Sequence, residues 1–189
     1  MKTVFKICTL LLLPLCGISS AKAQSADMFN QIFGGTGYEY GYSVKQTLDN
    51  GYIVAGTTSS FGNGTTDGYL VKTDSLGLAQ WQHTYGGGNI DIFQSIVLLP
   101  DSGFMIAGYT NSYGSGGYDG WILRLDKNGD TLWTKTIGTT DWDFFVSVDT
   151  LKDTTGFIFF GSTFGRGAGD EDFFVVKTNM LGDTIWTRT

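Results

Sequence analysis

The sequence predicts an all-β protein made of three four-stranded propeller-type blades preceded by one N-terminal strand. Three observations predict it: an internal repeat, four short strand-like segments in each copy, and no segment with the 3.6-residue apolar period of an amphipathic helix. The repeat is clearest in Gly-Tyr-Ile-Val-Ala-Gly at 51–56, which recurs in similar form at 103–108 and 156–161. The offsets between these copies are 52 and 53 residues.

Two other kinds of residue keep the same two offsets, which places the copies at about 31–82, 83–135 and 136–189. The aspartates are Asp67, Asp119 and Asp172, and the tryptophans are Trp81, Trp133 and Trp186. Because three landmarks agree on one period, we treat residues 24–189 as one repeat region and expect structural roles for these six positions.

Each copy contains four apolar segments divided by glycine or by clusters of Asp, Asn and Ser. In the first copy the segments are 42–47, 52–57, 68–73 and 79–85. Several are apolar at consecutive positions, which suits strands buried on both faces. A period near 50 residues with four strands is typical of a propeller blade.

The two ends of the chain both align with the fourth strand of a blade. Residues 28–35 align with 80–87, and residues 186–189 fall in the fourth strand of the third copy. The three strands that would complete the first of these are missing, and propellers usually have four to eight blades. We therefore expect an incomplete propeller, the N-terminal part of a longer protein or a truncated product. A ring made from two three-bladed chains is the alternative, although it leaves the N-terminal strand unpaired.

Residues 1–23 have the features of a signal peptide. Lys2 and Lys6 precede an apolar run at 7–18, and Ala21-Lys22-Ala23 forms a small-residue cleavage site. The apolar run is too short for a membrane-spanning helix, which needs about 20 residues. The sequence predicts export to the extracellular space or outer cell surface, with the periplasm as an alternative, and no membrane insertion after cleavage.

Composition excludes several classes of function. Both cysteines, Cys8 and Cys16, lie in the signal, so disulfides, Cys-ligated zinc and a thiol nucleophile are excluded after cleavage. The single histidine, His83, excludes a multi-histidine metal site. The signal carries three of the 12 basic residues and none of the 18 acidic ones, so cleavage leaves a net charge of −9. Nucleic acid is therefore not an expected partner, and no cofactor or metal is expected.

Stretch 81–138 resembles the repeat of secreted bacterial β-propeller proteins. The residues that carry the resemblance are Trp81, Tyr85-Gly86-Gly87, Ser95-Ile96, Asp101-Ser102-Gly103, Ile106-Ala107-Gly108-Tyr109-Thr110, Asp119-Gly120-Trp121 and Leu125-Asp126. The resemblance extends over about residues 28–189. It implies an exported protein of the Bacteroidetes type, whose members commonly carry a C-terminal sorting domain that this sequence lacks.

A turn precedes each of the repeated tryptophans, in the form Asp74-x-x-Gly77-x-x-x-Trp81 in the first copy. It is similar to the tryptophan-docking turn of quinoprotein propellers and, more loosely, to the Asp-box turn of sialidase-type propellers. We expect the Asp side chain to bind turn N–H groups, the Gly to adopt a positive φ, and the indole to wedge between blades. The aspartates at 67, 119 and 172 are expected to bind their own loops, with calcium binding as the alternative.

Candidate ligand-binding residues lie in the loops between blades, which differ between the copies and where recognition usually resides on a repeated scaffold, and in the loops between the second and third strands. They are Tyr38, Tyr40, Asp91, Tyr113, Tyr118 and Trp142. Aromatic residues flanked by carboxylates suit stacking on a sugar face together with hydrogen bonds to its hydroxyls. Aromatics at 61, 113 and 164 are interpreted as equivalent, either as anchoring wedges or as an exposed platform.

The expected function is binding or surface display, with a protein or a glycan as ligand and self-association as a further possibility. No catalytic residue is expected, because the serines at 43, 95 and 147 lack a His-Asp arrangement. Two alternatives remain: a structural spacer that carries a missing C-terminal domain, and part of an enzyme whose catalytic residues lie in missing blades.

Overall fold

A computed structural model describes residues 31–189 and shows three four-stranded antiparallel sheets, each formed from consecutive strands. The first sheet contains β1 (Glu39–Gln46), β2 (Tyr52–Thr58), β3 (Asp67–Thr73) and β4 (Ala79–Tyr85). The second contains β5 (Asp91–Leu98), β6 (Phe104–Thr110), β7 (Asp119–Leu125) and β8 (Thr131–Ile137). The third contains β9 (Asp143–Thr150), β10 (Gly156–Thr163), β11 (Asp172–Asn179) and β12 (Thr184–Arg188). We call these sheets blades 1, 2 and 3.

The all-β, three-blade prediction is confirmed, and the four strands of blade 1 match the predicted segments closely, except that β1 begins three residues earlier. The described part of the predicted N-terminal strand, residues 31–34, precedes β1 without pairing as a strand. Residues 28–30 and the predicted signal at 1–23 lie outside the described residues. Within 31–189, no helix has the length and apolar character needed to span a membrane.

One extra residue explains why the repeat offsets are unequal. The first strand of each blade is β1, β5 or β9, and we call these three the inner strands. They begin 52 residues apart, at Glu39, Asp91 and Asp143. In the turn that follows β9, the Leu151 N–H donates to the Gly156 carbonyl, one residue farther along the chain than in the Leu99–Gly103 pair of blade 2, so every later position of blade 3 is offset by 53. Each inner strand also carries a β-bulge at the equivalent residue, which is Tyr42, Gln94 or Val146.

Adjacent blades meet through the inner strand of the following blade. Strand β5 packs across β1, β2 and β3, and β9 packs across β5, β6 and β7. At each junction a phenylalanine lies where the preceding blade has glycine. A β-carbon on Gly68 would lie 2.8 Å from the Phe93 ring, and one on Gly120 would lie 2.6 Å from the Phe145 ring. Both phenylalanines are fully buried, so these contacts form the centre of the core.

A second contact joins the outer edges of the blades. The Asp126 carboxylate accepts the N–H groups of Asn128 (2.8 Å) and Asp130 (2.9 Å), and Gly129 between them has a φ of 87°. The Trp81 indole of blade 1 lies against this glycine, 3.1 Å from the position of an added β-carbon. Trp133 meets the equivalent Gly182 in the same way, which supports the prediction that this turn docks a tryptophan.

Replacing Gly129 with alanine should lower the free energy of unfolding by about 2 kcal/mol, because a left-handed residue with a β-carbon costs roughly 1–2 kcal/mol and Trp81 and His83 occupy the space. The matched control is Gly88→Ala, whose β-carbon meets nothing within 4 Å and which should change stability by less than about 0.5 kcal/mol. Urea denaturation followed by tryptophan fluorescence measures both. Equal stability of the two variants would contradict the docking role.

Candidate ligand-binding surface

The inter-blade connections and the β2–β3-type loops lie together at one end of the blades, which we call the loop end. The N–H of Thr65 donates to the Asn89 carbonyl at 3.1 Å, joining a blade 1 loop to the next connection. Asp143 N–H donates in the same way to the Tyr118 carbonyl at 2.6 Å. The Phe164 N–H completes the pattern by donating to the Trp142 carbonyl at 2.8 Å. Each connection is therefore held between the loops of two blades.

Five aromatic side chains meet at the loop end between blades 2 and 3. We call this set the aromatic cluster: Tyr109, Tyr118, Trp142, Phe144 and Phe164. Tyr118 and Trp142 have ring centroids 5.7 Å apart, Trp142 and Phe164 5.8 Å, and Tyr109 and Phe144 4.8 Å, all with near-perpendicular planes. Such edge-to-face contacts are a preferred arrangement of aromatic pairs. The cluster is therefore held in place by its own members.

The cluster remains open to solvent on one side. Trp142 is 52% exposed and Phe164 is 37% exposed, whereas the other three members are half-buried. Gly117 allows the indole to lie on its loop, because a β-carbon there would be 2.2 Å from Trp142 Cδ1. The neighbouring loops carry exposed carboxylates at Asp141 and at 170–171. The result is an apolar platform with hydrogen-bond acceptors in the adjoining loops.

The sequence predicted Tyr118 and Trp142 as ligand-binding residues and Phe164 as a wedge or an exposed platform, whereas Tyr109 and Phe144 were missed. A signal for both of these was present. Phe144 is two residues after Trp142 in an extended segment, where alternate side chains share a face. Tyr109 follows the repeated segment at 103–108 and is the one residue of β6 that is not fully buried. Phe164 was assigned to a different repeat position.

That assignment of Phe164 was wrong. In blade 3, the residue equivalent to Phe61 and Tyr113 is Arg166 and not Phe164, because the extra residue in blade 3 shifts the alignment by one position. The ring of Phe61 lies 5.9 Å from Tyr69, Tyr113 lies 5.9 Å from Trp121, and the Arg166 guanidinium lies 5.4 Å from Phe174. In all three copies, the side chain at this position packs on an aromatic ring of the third strand of its own blade.

Tyr113 is anchored rather than free. Its hydroxyl donates to the Gly86 carbonyl at 2.8 Å, although nearly half of the side chain is exposed. The contact ties the loop of blade 2 to the connection that enters that blade. This geometry favours the wedge interpretation of Tyr113 over the platform.

Tyr38 and Tyr40 form a row with Tyr42 along β1. Their centroids are 6.4 Å apart at each step, and all three side chains are exposed. The pKa of Tyr109 is raised, chiefly by burial and further by the nearby Tyr42 hydroxyl. The three rings therefore form an exposed aromatic row on blade 1.

Asp91 does not belong to the surface. It is fully buried and accepts hydrogen bonds from the Thr110 hydroxyl, from the Ser112 hydroxyl at 2.6 Å and from the Gly87 N–H at 2.8 Å. The prediction that Asp91 binds a ligand at the surface is therefore wrong. The carboxylate instead fixes the start of β5 to its own blade.

The equivalent residue in blade 3 keeps only part of this network. Asp143 accepts the N–H of Thr139 at 2.6 Å and its hydroxyl at 2.9 Å. The Thr139 hydroxyl replaces the serine that blade 2 has at 112, since blade 3 has Gly165 there and a β-carbon on it would be 2.0 Å from that oxygen. The second oxygen of Asp143 is buried without a hydrogen-bond partner.

The repeated aspartates at the third strands bind their own loops. Asp67 accepts the Gly64 N–H at 2.9 Å, Asp119 the Ser115 N–H at 2.9 Å, and Asp172 the Ala168 N–H at 2.9 Å. Within residues 31–189, no group of three or more His, Cys, Asp or Glu side chains is arranged to hold a metal ion. These contacts support the loop-binding interpretation.

Two of these aspartates lie close to the buried carboxylate of the next blade. A β-carbon on Gly86 would be 2.2 Å from Asp67 Oδ1 and 2.6 Å from Asp91 Oδ2, so both carboxylates flank one glycine. Burial raises the pKa of Asp67 above its ordinary value, and the charge of Asp91 adds to the effect. Asp119 shows the same direction for the same reasons, with Asp143 as its neighbour.

Comparisons with known proteins provide no family for the chain: no protein-family model matches it, and the search of curated proteins finds no match. A functional assignment therefore depends on the geometry described above and on the chemistry that the exposed aromatic cluster supports.

The free energy of unfolding should depend on pH in two opposite ways. Because the folded-state pKa values of Asp67 and Asp119 lie above 3.8, stability should fall as pH rises from 3.8 through those values. The hydrogen bond from Lys72 lowers the pKa of Asp49 to about 2, so its contribution should be lost as pH falls from 3.8 toward 2.

Urea denaturation at closely spaced pH values measures this profile. Asp67→Asn should flatten the decline above pH 3.8, because the amide keeps an acceptor for the loop N–H and removes the charge beside Asp91. Asp170→Asn, at an exposed position, is the control and should leave the decline unchanged. A decline of the same slope in Asp67→Asn would show that this carboxylate does not cause it.

Proposed function

We propose that this chain is an exported, non-catalytic binding protein whose aromatic cluster takes a glycan. The observation that carries the proposal is the exposed Trp142 indole, which packs against Tyr118 and Phe164. The adjoining loops carry exposed carboxylates. An aromatic ring held at fixed orientation offers a flat apolar face to a sugar ring, and the carboxylates accept hydrogen bonds from its hydroxyls.

The expected class of ligand follows from the net charge of the chain. The net charge of −9 after loss of residues 1–23 disfavours anionic polymers, so a neutral glycan is the expected ligand. Rigid aromatic residues lose little conformational entropy on binding, which suits weakly hydrophobic ligands. The resemblance to secreted bacterial repeats supports an extracellular or surface location, where such glycans are available.

The proposal that the segment is non-catalytic depends on its single histidine. The His83 ring stacks on Trp81 at 4.9 Å, and its Nδ1 is 3.4 Å from the Tyr85 hydroxyl, in the junction between blades 1 and 2. Ser95 accepts the Val148 N–H at 3.3 Å through its hydroxyl. Both residues have structural contacts, which supports a binding role over hydrolysis.

Trp142→Ala should weaken glycan binding by about 30-fold or more, the loss expected for a central aromatic contact. A printed array of neutral oligosaccharides identifies the best ligand, and isothermal titration with that oligosaccharide measures the affinity. Phe61→Ala is the matched control, because Phe61 is similarly exposed at the loop end but contacts Tyr69 of blade 1. It should leave the affinity unchanged.

The same experiment distinguishes binding from a spacer role. A spacer predicts no ligand on the array and no difference between the two variants. Loss of affinity in both variants to the same extent would place the ligand elsewhere and overturn the assignment to the aromatic cluster.

A further inference from the structure

The two junctions inside the chain share one rule of size complementarity. The preceding blade has small residues where the following blade has phenylalanine. Gly68 and the buried Ala55 accommodate Phe93 at the first junction, within one apolar cluster. At the second junction, the corresponding small residues are Gly120 and Ala107, and the phenylalanine is Phe145.

Blade 3 has large residues where blades 1 and 2 have small ones, on the face that a following blade would contact. Phe173 follows Asp172 as Gly68 follows Asp67, and Phe160 precedes a glycine as Ala55 does. The two rings are 5.4 Å apart, and they are 73% and 40% exposed. A blade with phenylalanine in the position of Phe93 would collide with Phe173, so this face suits a blade that has a small residue there.

Blade 1 has that small residue. Gly41 lies two residues after Glu39, as Phe93 lies two residues after Asp91, and it therefore occupies the phenylalanine position. An added β-carbon on Gly41 would meet only Val54, at 3.5 Å. Around it is a hollow of about 160 Å³, whose lining includes Phe33, Tyr69 and Val71.

We propose that a second copy of this chain docks head to tail, with Phe173 of one protomer in the Gly41 hollow of its partner. The packing is that of the internal junctions with the large and small residues exchanged. Blade 3 of each protomer would meet blade 1 of the other, so two identical contacts close a ring. The ring would contain six blades, within the range of four to eight found in propellers.

Residue exchange tests the contact directly. Gly41→Phe fills the hollow and Phe173→Gly removes the side chain that enters it, so each change alone should weaken self-association by at least about tenfold. The double variant G41F/F173G recreates the phenylalanine-on-glycine arrangement of the internal junctions and should restore association. Sedimentation velocity of the purified protein over a range of concentrations measures the mass.

The folded state of each variant is checked by circular dichroism and thermal denaturation. Both positions tolerate the change, since Gly41 does not have a positive φ and Phe173 is mostly exposed. Leu48→Ala is a control, because Leu48 is 78% exposed in the turn between β1 and β2, and this variant should associate like the original protein.

The expected result is a two-chain mass that both single variants lose and the double variant recovers. A one-chain mass for the original protein at all concentrations would overturn the proposal and assign the two faces to a different occupant. Association that the single variants leave intact, or that the double variant fails to recover, would overturn it as well.

Discussion

The packing of an aromatic ring on a glycine of the neighbouring blade is the contact on which this structure depends. Each junction contains it twice, as phenylalanine on a strand glycine near the inner strand and as tryptophan on a turn glycine near the outer edge. Two separated contacts fix both the distance and the angle between blades. Because a β-carbon at any of these glycines would lie within about 3 Å of a ring, the blades have one close-packed arrangement.

That arrangement determines the geometry of the loop end. The inner strands of blades 2 and 3 begin at the buried carboxylates of Asp91 and Asp143, and the connection just before each lies between loops of two blades. Asp91 shows how the entry is held: it accepts hydrogen bonds from Thr110 and Ser112 of its own blade and from Gly87 of the connection. Residues one position away from this anchor, such as Ile90 and Trp142, then point to the surface or to neighbouring loops and differ freely between copies. A rigid anchor beside a variable residue is a scaffold suited to recognition.

The sequence predicted the fold because the repeat can be recognised from residue spacing alone. Strand boundaries, the tryptophan turn and the aspartates of the third strands all recur at fixed offsets, so one copy supports the others. It did not predict that Gly68 receives Phe93, since these residues are 25 positions apart in different blades and only packing brings them together. The candidate site was predicted in part, through Tyr118 and Trp142. Asp91 was misassigned because a loop-edge carboxylate can face solvent or its own blade, and sequence alone does not distinguish the two.

The aromatic cluster proposed to bind a glycan and the two faces proposed to associate are different parts of the described structure. The aromatic cluster lies at the loop end, where its rings are fixed by one another and by the junction between blades 2 and 3. Phe173 and Gly41 lie on the sheet faces, where the stacking rule of the blades applies. A change at Trp142 alters no inter-blade contact of the kind that Phe145 makes with Gly120, and a change at Phe173 leaves the loops in place. The proposed recognition and the proposed assembly would thus depend on the same kind of contact, an aromatic ring packed on a small residue, at different positions.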